Sequence, residues 1–492
     1  MGYRDDVVAL SRPLTGAGDL DPLLARVGEA RVVMLGEASH GTHEFYRWRA
    51  LLTQRLITEK GFSFVAVEGD WPDCDRIDRA VRCLPDAPGD PRSALAAFER
   101  WPTWMWANEE VLDFCRWLRA HNTRQDPNRR VGFHGLDVYS LWESLREILT
   151  YLREHDPEQV PVALAAYRCF EPYGEDAQSY AAATRFASES CEHEVVDLLV
   201  RLRERAAAAD GSFGAWQNAE IVAGAEQYYR AMIGGGRQSW NVRDRHMDQT
   251  LDRLLTHHGP NARAVVWAHN THVGDARATS MAAAGEVNIG RLARERLGPD
   301  RVVLVGFGTH RGSVIAADAW GAPARVLPVP PARPGSLEDA LHRAAPQAAV
   351  LTFPETSAST CSPTSSVTAP SASSTTRNGN AGATTCPPSS ANAMTPSSGS
   401  TRPPPCVRFP PAGSTCSRPG PPAEPVTSNR ARQRPCGHPP DTTRTCPPAT
   451  SPVCVRRSRA SGTPRGLEHT GFGRTTSCGT GPVPTTRRSH HG

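Results

Sequence analysis

From residue 356 to residue 492 the chain contains no Ile, Trp or Tyr and a single Leu, Leu467. The same stretch holds 23 Pro, 21 Ser, 23 Thr and 15 Arg. So few large apolar side chains cannot bury enough surface to offset the entropy of ordering a backbone. The sequence therefore divides in two. Residues 1–355 carry the material for a fold. Residues 356–492 read as a low-complexity Pro/Ser/Thr/Arg/Cys tail, either disordered or derived from a frameshift. Eight of the 13 Cys lie in this tail, which is unlike a genuine linker. A secreted cysteine scaffold would need an export signal, and Met1-Gly-Tyr-Arg-Asp-Asp lacks the charged-then-apolar pattern of one. Lys60 is the single lysine, a bias towards Arg that fits GC-rich codons. Shifted reading of such codons yields Pro, Arg, Ser, Thr, Gly and Cys, so a frameshift is the favoured origin.

The net charge of +4 hides the same division. The tail sets 15 Arg against Glu424, Asp441 and Glu468, giving +12, and the first 355 residues set 40 basic against 48 acidic side chains, giving −8. The foldable part is mildly acidic, which excludes a basic nucleic-acid binder. No apolar run reaches the roughly 18–20 residues of a spanning helix, so no membrane partner is expected. Cys74, Cys83, Cys115, Cys169 and Cys191 show no metal-like or disulfide-like spacing, and a reduced, cytoplasmic location is expected.

Short apolar runs place the strands. Arg31–Leu35 ends at Gly36, Phe62–Val67 ends at Glu68, Arg130–Gly135 ends at Leu136-Asp137, Ala264–Ala268 ends at His269, and Arg301–Val305 runs into Gly306-Phe-Gly308. Residues 44–60 follow helical spacing and close at Gly61. Strand, loop, helix and strand within forty residues predict a right-handed parallel crossover. Residues 92–121, 191–209 and 217–233 also read as helices. The fold class is α/β: a mostly parallel sheet with flanking helices, and a helical lobe at about 140–260 inserted into or packed over it.

Polar residues gather where the apolar runs stop. Glu37 and His40 follow the first strand, Glu68 and Asp70 the second, Asp137 the third, and His269-Asn-Thr-His272 the fourth. Ligands of open parallel sheets bind outside the carboxyl ends of the strands. Two carboxylates and three imidazoles on one rim are the groups needed to activate water and protonate a leaving group. No Gly-x-Ser-x-Gly elbow occurs, and Gly234-Gly-Gly236 lacks the Lys-Ser/Thr of a phosphate loop. Each residue also has a plain reading: Glu37 as a helix cap, His40 as a turn residue, Glu68 as a structural partner of an arginine, His269 and His272 as loop polar groups. The ligand set would permit a divalent metal, but the spacing is not a zinc motif, and no cofactor is expected.

Residues 33–44 (Val-Met-Leu-Gly-Glu-Ala-Ser-His-Gly-Thr-His-Glu) and 60–70, Trp101–Trp106, Gly135–Tyr139, Asn241–Met247 and Val266–Asp275 together resemble the erythromycin esterase family. Gly306-Phe-Gly-Thr and Gly335–Asp339 continue the resemblance, which runs over about residues 5–353. Such members hydrolyse the macrolactone ester of erythromycin-type antibiotics, which gives macrolide resistance, and the family includes proteins linked to succinoglycan biosynthesis. The resemblance implies His40 as general base, Glu37 as the acid that orients it, Glu68 as second carboxylate, and His269 and His272 as the paired histidines. It also implies a site role for Arg49, which spacing alone would leave as a solvated surface charge. Asp70, Asp137 and Asn270 are assigned to substrate binding. The expected partner is a small-molecule ester, a macrolide or else an exopolysaccharide or metabolite ester, and the oligomeric state is left open. An inactive remnant is the remaining alternative, because the family pattern disappears after Ala348–Phe353. The frameshift origin predicts an apolar-patterned product in another reading frame beyond codon ~355 of the gene; two unpatterned frames would remove it.

Overall fold

Alternate residues of four-residue strands point to opposite faces of one sheet, and here both faces are buried. The computed structural model describes residues 3–85, 87–184, 190–206, 213–232, 236–319, 321–353 and 391–395. All of them fall within the unit Met1–Cys416. The strands are β1 (Ser11–Pro13), β2 (Val32–Leu35), β3 (Phe64–Val67), β4 (Gly132–Gly135), β5 (Ala264–Trp267), β6 (Val302–Phe307), β7 (Gly312–Ala316), β8 (Arg325–Val329), β9 (Ala349–Leu351) and β10 (Ala391–Thr395). Eight form the main sheet in the order β1-β9-β10-β6-β2-β5-β3-β4, and β7 pairs antiparallel with β8.

The five strands foreseen from apolar runs are β2 to β6, and they are mutually parallel. β2 is followed by β3 on one side, while β5 is followed by β6 on the other. The direction of connection thus reverses between the neighbours β2 and β5, which places a crevice at their carboxyl ends. The register keeps those ends level. Leu35 lies opposite Trp267 and Val305, and Val67 opposite Trp267 and Gly135.

One face presents Val33, Leu35, Val65, Val67, Val265 and Trp267 to the helices His43–Lys60 and Glu109–Asn122. The other presents Val32, Met34, Ala66 and Val266 to Leu251, Leu254 and Leu255 of the helix Gly236–His257 and to Ile289 and Ala293. The stretch 92–121 is broken into Pro91–Ala96, a single turn at Thr103–Met105, and Glu109–Asn122, whose N-cap Asn108 accepts from the Val111 amide. Between β4 and β5 lie the helices Leu141–His155, Val160–Phe170, Ala177–Thr184, Glu192–Ala206, Phe213–Met232 and Gly236–His257. Several of these share a core of their own around Leu145, Phe170, Tyr180, Leu198 and Val222.

Three features differ from the sequence reading. Cys169 and Cys191 form a disulfide, although their spacing suggested none. Cys169 lies in the helix Val160–Phe170 and Cys191 in the turn before the helix Glu192–Ala206, and folding brings them together in a way that linear spacing does not report. The pair β7–β8 was not foreseen, since Pro328 interrupts its second strand. Lastly, Ala391–Thr395, inside the stretch assigned to the tail, forms β10, parallel to β6 and antiparallel to β9. The edge of β6 has backbone groups that need partners, and a short segment of weak β propensity supplies them. The other residues of 356–492 lie outside the described residues, and so does the expectation of disorder there.

Arg263 fastens the opposite ends of the strands. It donates to the carbonyls of Gly28, Ala30 and Lys60, and its guanidinium lies 4.6 Å from the Phe62 ring centroid. Replacement by Ala leaves three carbonyls without this donor and should cost about 1–3 kcal/mol, read as a lower urea midpoint at unchanged slope.

Candidate active site

The loop after β2 is built around Gly41, whose φ of +80° few other residues adopt without strain. A Cβ there would stand 2.4 Å from the carbonyl oxygen of Ile315, in β7, so the loop passes beneath that strand only as glycine. The turn delivers Glu37 and His40 to the crevice and leads into the helix His43–Lys60. Its inward face, Phe45, Trp48, Leu52 and Leu56, includes Arg49.

Glu37 and Arg49 are both fully buried, and Arg49 Nη2 donates to Glu37 Oε2 at 3.0 Å. The guanidinium is boxed by the rings of Tyr46, Trp267 and Trp106 at 4.4, 5.2 and 6.0 Å. Aromatic faces favour a buried cation. Arg49 is thus the opposite of a solvated surface charge. Burial pushes the Glu37 carboxyl up, but the charges of Arg49 and His40 outweigh it, and its pKa falls below the usual value.

Glu37 Oε1 lies 2.7 Å from His40 Nδ1. The carboxylate therefore accepts from Nδ1–H and leaves Nε2 to carry the lone pair. The His40 side chain is 28% exposed. Burial opposes charge on the ring, but Glu37 and then Glu68 favour it, and the His40 pKa rises above the ordinary imidazole value.

His269 faces His40 edge-on, with ring centroids 5.5 Å apart. Its Nδ1 accepts from the Thr271 amide, and its Nε2–H donates to the Ala38 carbonyl at 3.1 Å. Burial and the neighbouring charge of His40 lower its pKa, so this ring is neutral. The second carboxylate, Glu68, accepts from the His269 amide at 2.8 Å and from Arg243 Nη2 at 2.8 Å. Burial alone would raise it, yet His272 and Arg243 hold it well below the usual carboxylate range.

The remaining expected residues form the wall. His272 is buried, with Nδ1 2.9 and 3.0 Å from the two Asp244 oxygens. Asp137 accepts twice from Arg243, at 2.9 and 2.7 Å. Asp70 is paired with Arg100, and its Oδ1 has no hydrogen-bond partner among the described residues. Asn270 ties β5 to β6, donating to the Phe307 carbonyl and accepting from the Phe307 amide. The structure thus gathers Glu37, His40, Glu68 and His269 around the crevice. Asp70, Asp137 and Asn270 engage protein partners, and their expected contact with substrate is not read from these bonds. His269 has both ring nitrogens engaged, whereas Arg49 keeps Nε and Nη1 buried without a hydrogen-bond partner among the described residues.

Arg243, Asp244 and Arg100 were not singled out from sequence. The segment Asn241–Met247 belonged to the resemblance, but helix spacing gave no hint of which side chains turn inward. Among the described residues no group of three or more His, Cys, Asp or Glu is placed to hold a metal ion, and no helix is long and apolar enough to cross a membrane.

A buried parallel-sheet switch point, lined by a histidine held on a carboxylate, is an arrangement suited to acid–base chemistry. The chain belongs to the erythromycin esterase family, whose profile matches residues 57–381. That range begins after Glu37, His40 and Arg49, so their placement rests on the geometry. Erythromycin esterase type II of Escherichia coli is 23% identical over 288 residues, which are 54% of this chain and 65% of that protein. The match thus spans slightly less than two thirds of that relative's length. Among solved structures, a succinoglycan biosynthesis protein superposes with a TM-score of 0.59 at 19% identity, over 71% of this chain and 86% of the other. A Bacillus cereus protein gives 0.58 at 21%, over 71% and 86%. An erythromycin esterase mutant in its open conformation gives 0.52 at 17%, over 69% and 89%. At these identities the structural likeness concerns the fold.

Arg49→Met should leave the Glu37 charge buried with only His40 bonded to it, at a cost of about 3–5 kcal/mol in urea unfolding at neutral pH. The pH dependence should also change sign. In the natural chain the lowered Glu37 pKa adds stability that is present above its unfolded value and lost as pH falls through the folded value. Without Arg49, burial raises the pKa instead, and the variant should gain stability on acidification.

Proposed function

We propose that this protein hydrolyses a carboxylic ester by general-base activation of water, with His40 as the base and a macrolactone as the first substrate to examine. The observation that carries the reading is the part-exposed ring of His40, with its Nδ1 fixed 2.7 Å from buried Glu37. Water held at Nε2 gives up a proton to that nitrogen as its oxygen attacks the ester carbonyl carbon. Collapse of the tetrahedral adduct breaks the bond to the alkoxy oxygen, which takes the same proton from His40. The products are an acid and an alcohol, and the net change is the addition of one water.

Each neighbour has a defined part. Glu37 holds the tautomer and steadies the imidazolium that forms, and Arg49 keeps Glu37 ionised and oriented. Glu68 adds a second negative charge that favours the imidazolium. Burial and the charge of Arg49 oppose that cation. Membership of the family fixes no substrate.

Incubation with a macrolide should increase its mass by one water, and His40→Ala should abolish the gain. No gain from the natural chain, with hydrolysis of other acyl esters in a panel, would move the substrate class and keep the chemistry. Hydrolysis of no ester by a folded chain would sink the reading. The acid limb of kcat/KM should lie above the ordinary imidazole value, because the neutral form of His40 is the base and its pKa is raised. Glu37→Gln removes the larger stabilising charge, so the limb should move to lower pH while the plateau falls by about 100-fold or more.

A further inference from the structure

We propose that Arg243 and Asp244, neighbours on the helix Gly236–His257, are positioning residues for Glu68: Arg243 holds it directly, and Asp244 acts on it through His272. The inference rests on the hydrolytic reading of the crevice. Nothing about residues 243 and 244 follows from the strand-end pattern, since the helix that carries them belongs to the other layer.

The geometry is a chain of contacts. Ile289 N donates to Asp244 Oδ1 at 3.1 Å, which fixes that carboxylate from a second helix. Both Asp244 oxygens lie within 3.0 Å of His272 Nδ1. The opposite nitrogen, Nε2, lies 3.4 Å from Glu68 Oε1. Trp240 covers the ring face, with centroids 4.6 Å apart and planes 10° from parallel. An imidazole between two carboxylates and against an indole face is favoured as a cation. His272 is only 2% exposed, so it serves the site through Glu68 rather than by touching a substrate.

The charges around His272 come from four elements. The helix itself supplies Asp244 and Arg243, and Arg243 Nη1, 3.1 Å from Nε2, opposes the cation. The end of β3 supplies Glu68, and the end of β4 supplies Asp137, which holds Arg243. The loop after β2 supplies His40 and Glu37 beyond Glu68. Burial pulls the ring down, but Asp244 and Glu68 outweigh burial and Arg243, and its pKa is pushed up to about 9. Glu68 in turn is one of the charges that raise His40. Its two oxygens, held by Arg243 and by the His269 amide, leave it one orientation relative to the base.

The test uses the full chain labelled with 15N-histidine. In the natural protein both nitrogens of His272 should carry protons at about pH 7.5. In Asp244→Asn the ring should lose a proton below that pH. A neutral His272 in the natural protein, accepting from Arg243 on Nε2, would overturn the proposal, and this measurement needs neither a folded variant nor a substrate. In ester hydrolysis, Asp244→Asn should lower kcat by up to about a hundredfold at little change in KM. It should add an ionisation near neutrality to the pH profile, and Asp244→Glu should restore part of the rate. A profile for Asp244→Asn parallel to that of the natural chain would also overturn it. Should no ester be hydrolysed, the hydrolytic reading fails, while the titration of His272 still decides the contacts proposed here.

Discussion

A carboxylate taken out of water survives as an anion only beside a buried cation, and the crevice of this sheet is built on that constraint. Glu37 has Arg49, and Glu68 has Arg243 with His272. Each pair does more than offset desolvation. A carboxylate with a fixed partner has a fixed direction, so the imidazole that leans on it has a fixed tautomer. Remove the pairing, and the acids would take up protons and release the histidines from their orientation.

The two pairs are anchored in different layers. Arg49 comes from the first crossover helix, wedged among Tyr46, Trp106 and Trp267 beneath one face of the sheet. Arg243 comes from the last helix before β5, which covers the other face. The crevice therefore joins the two layers.

Much of this was legible in the sequence because strand ends are local. An apolar run of four residues followed by Glu or His needs no tertiary knowledge to be noticed, and β2 to β6 with Glu37, His40, Glu68 and His269 were found that way. Arg49 required the family resemblance, since a buried arginine on an amphipathic helix looks like any exposed one. Arg243 and Asp244 escaped notice for the same reason, with Arg243 175 positions away from its partner Glu68. The Cys169–Cys191 bond and the β7–β8 pair were missed because they are properties of packing. β10 was missed because Ala-Asn-Ala-Met-Thr is a strand by position rather than by propensity.

That five-residue strand has a practical meaning for anyone who shortens the chain. β10 stands between β6 and β9, and β9 alone carries β1 into the sheet. A cut at residue 355, where the composition changes, would remove β10 and leave β9 and β1 without the strand that joins them to β6. Ser11–Pro13, near the beginning of the chain, therefore depends for its place on residues nearly four hundred positions later. The smallest unit that keeps every described strand ends at Thr395 or beyond, so a composition boundary and a folding boundary need not coincide.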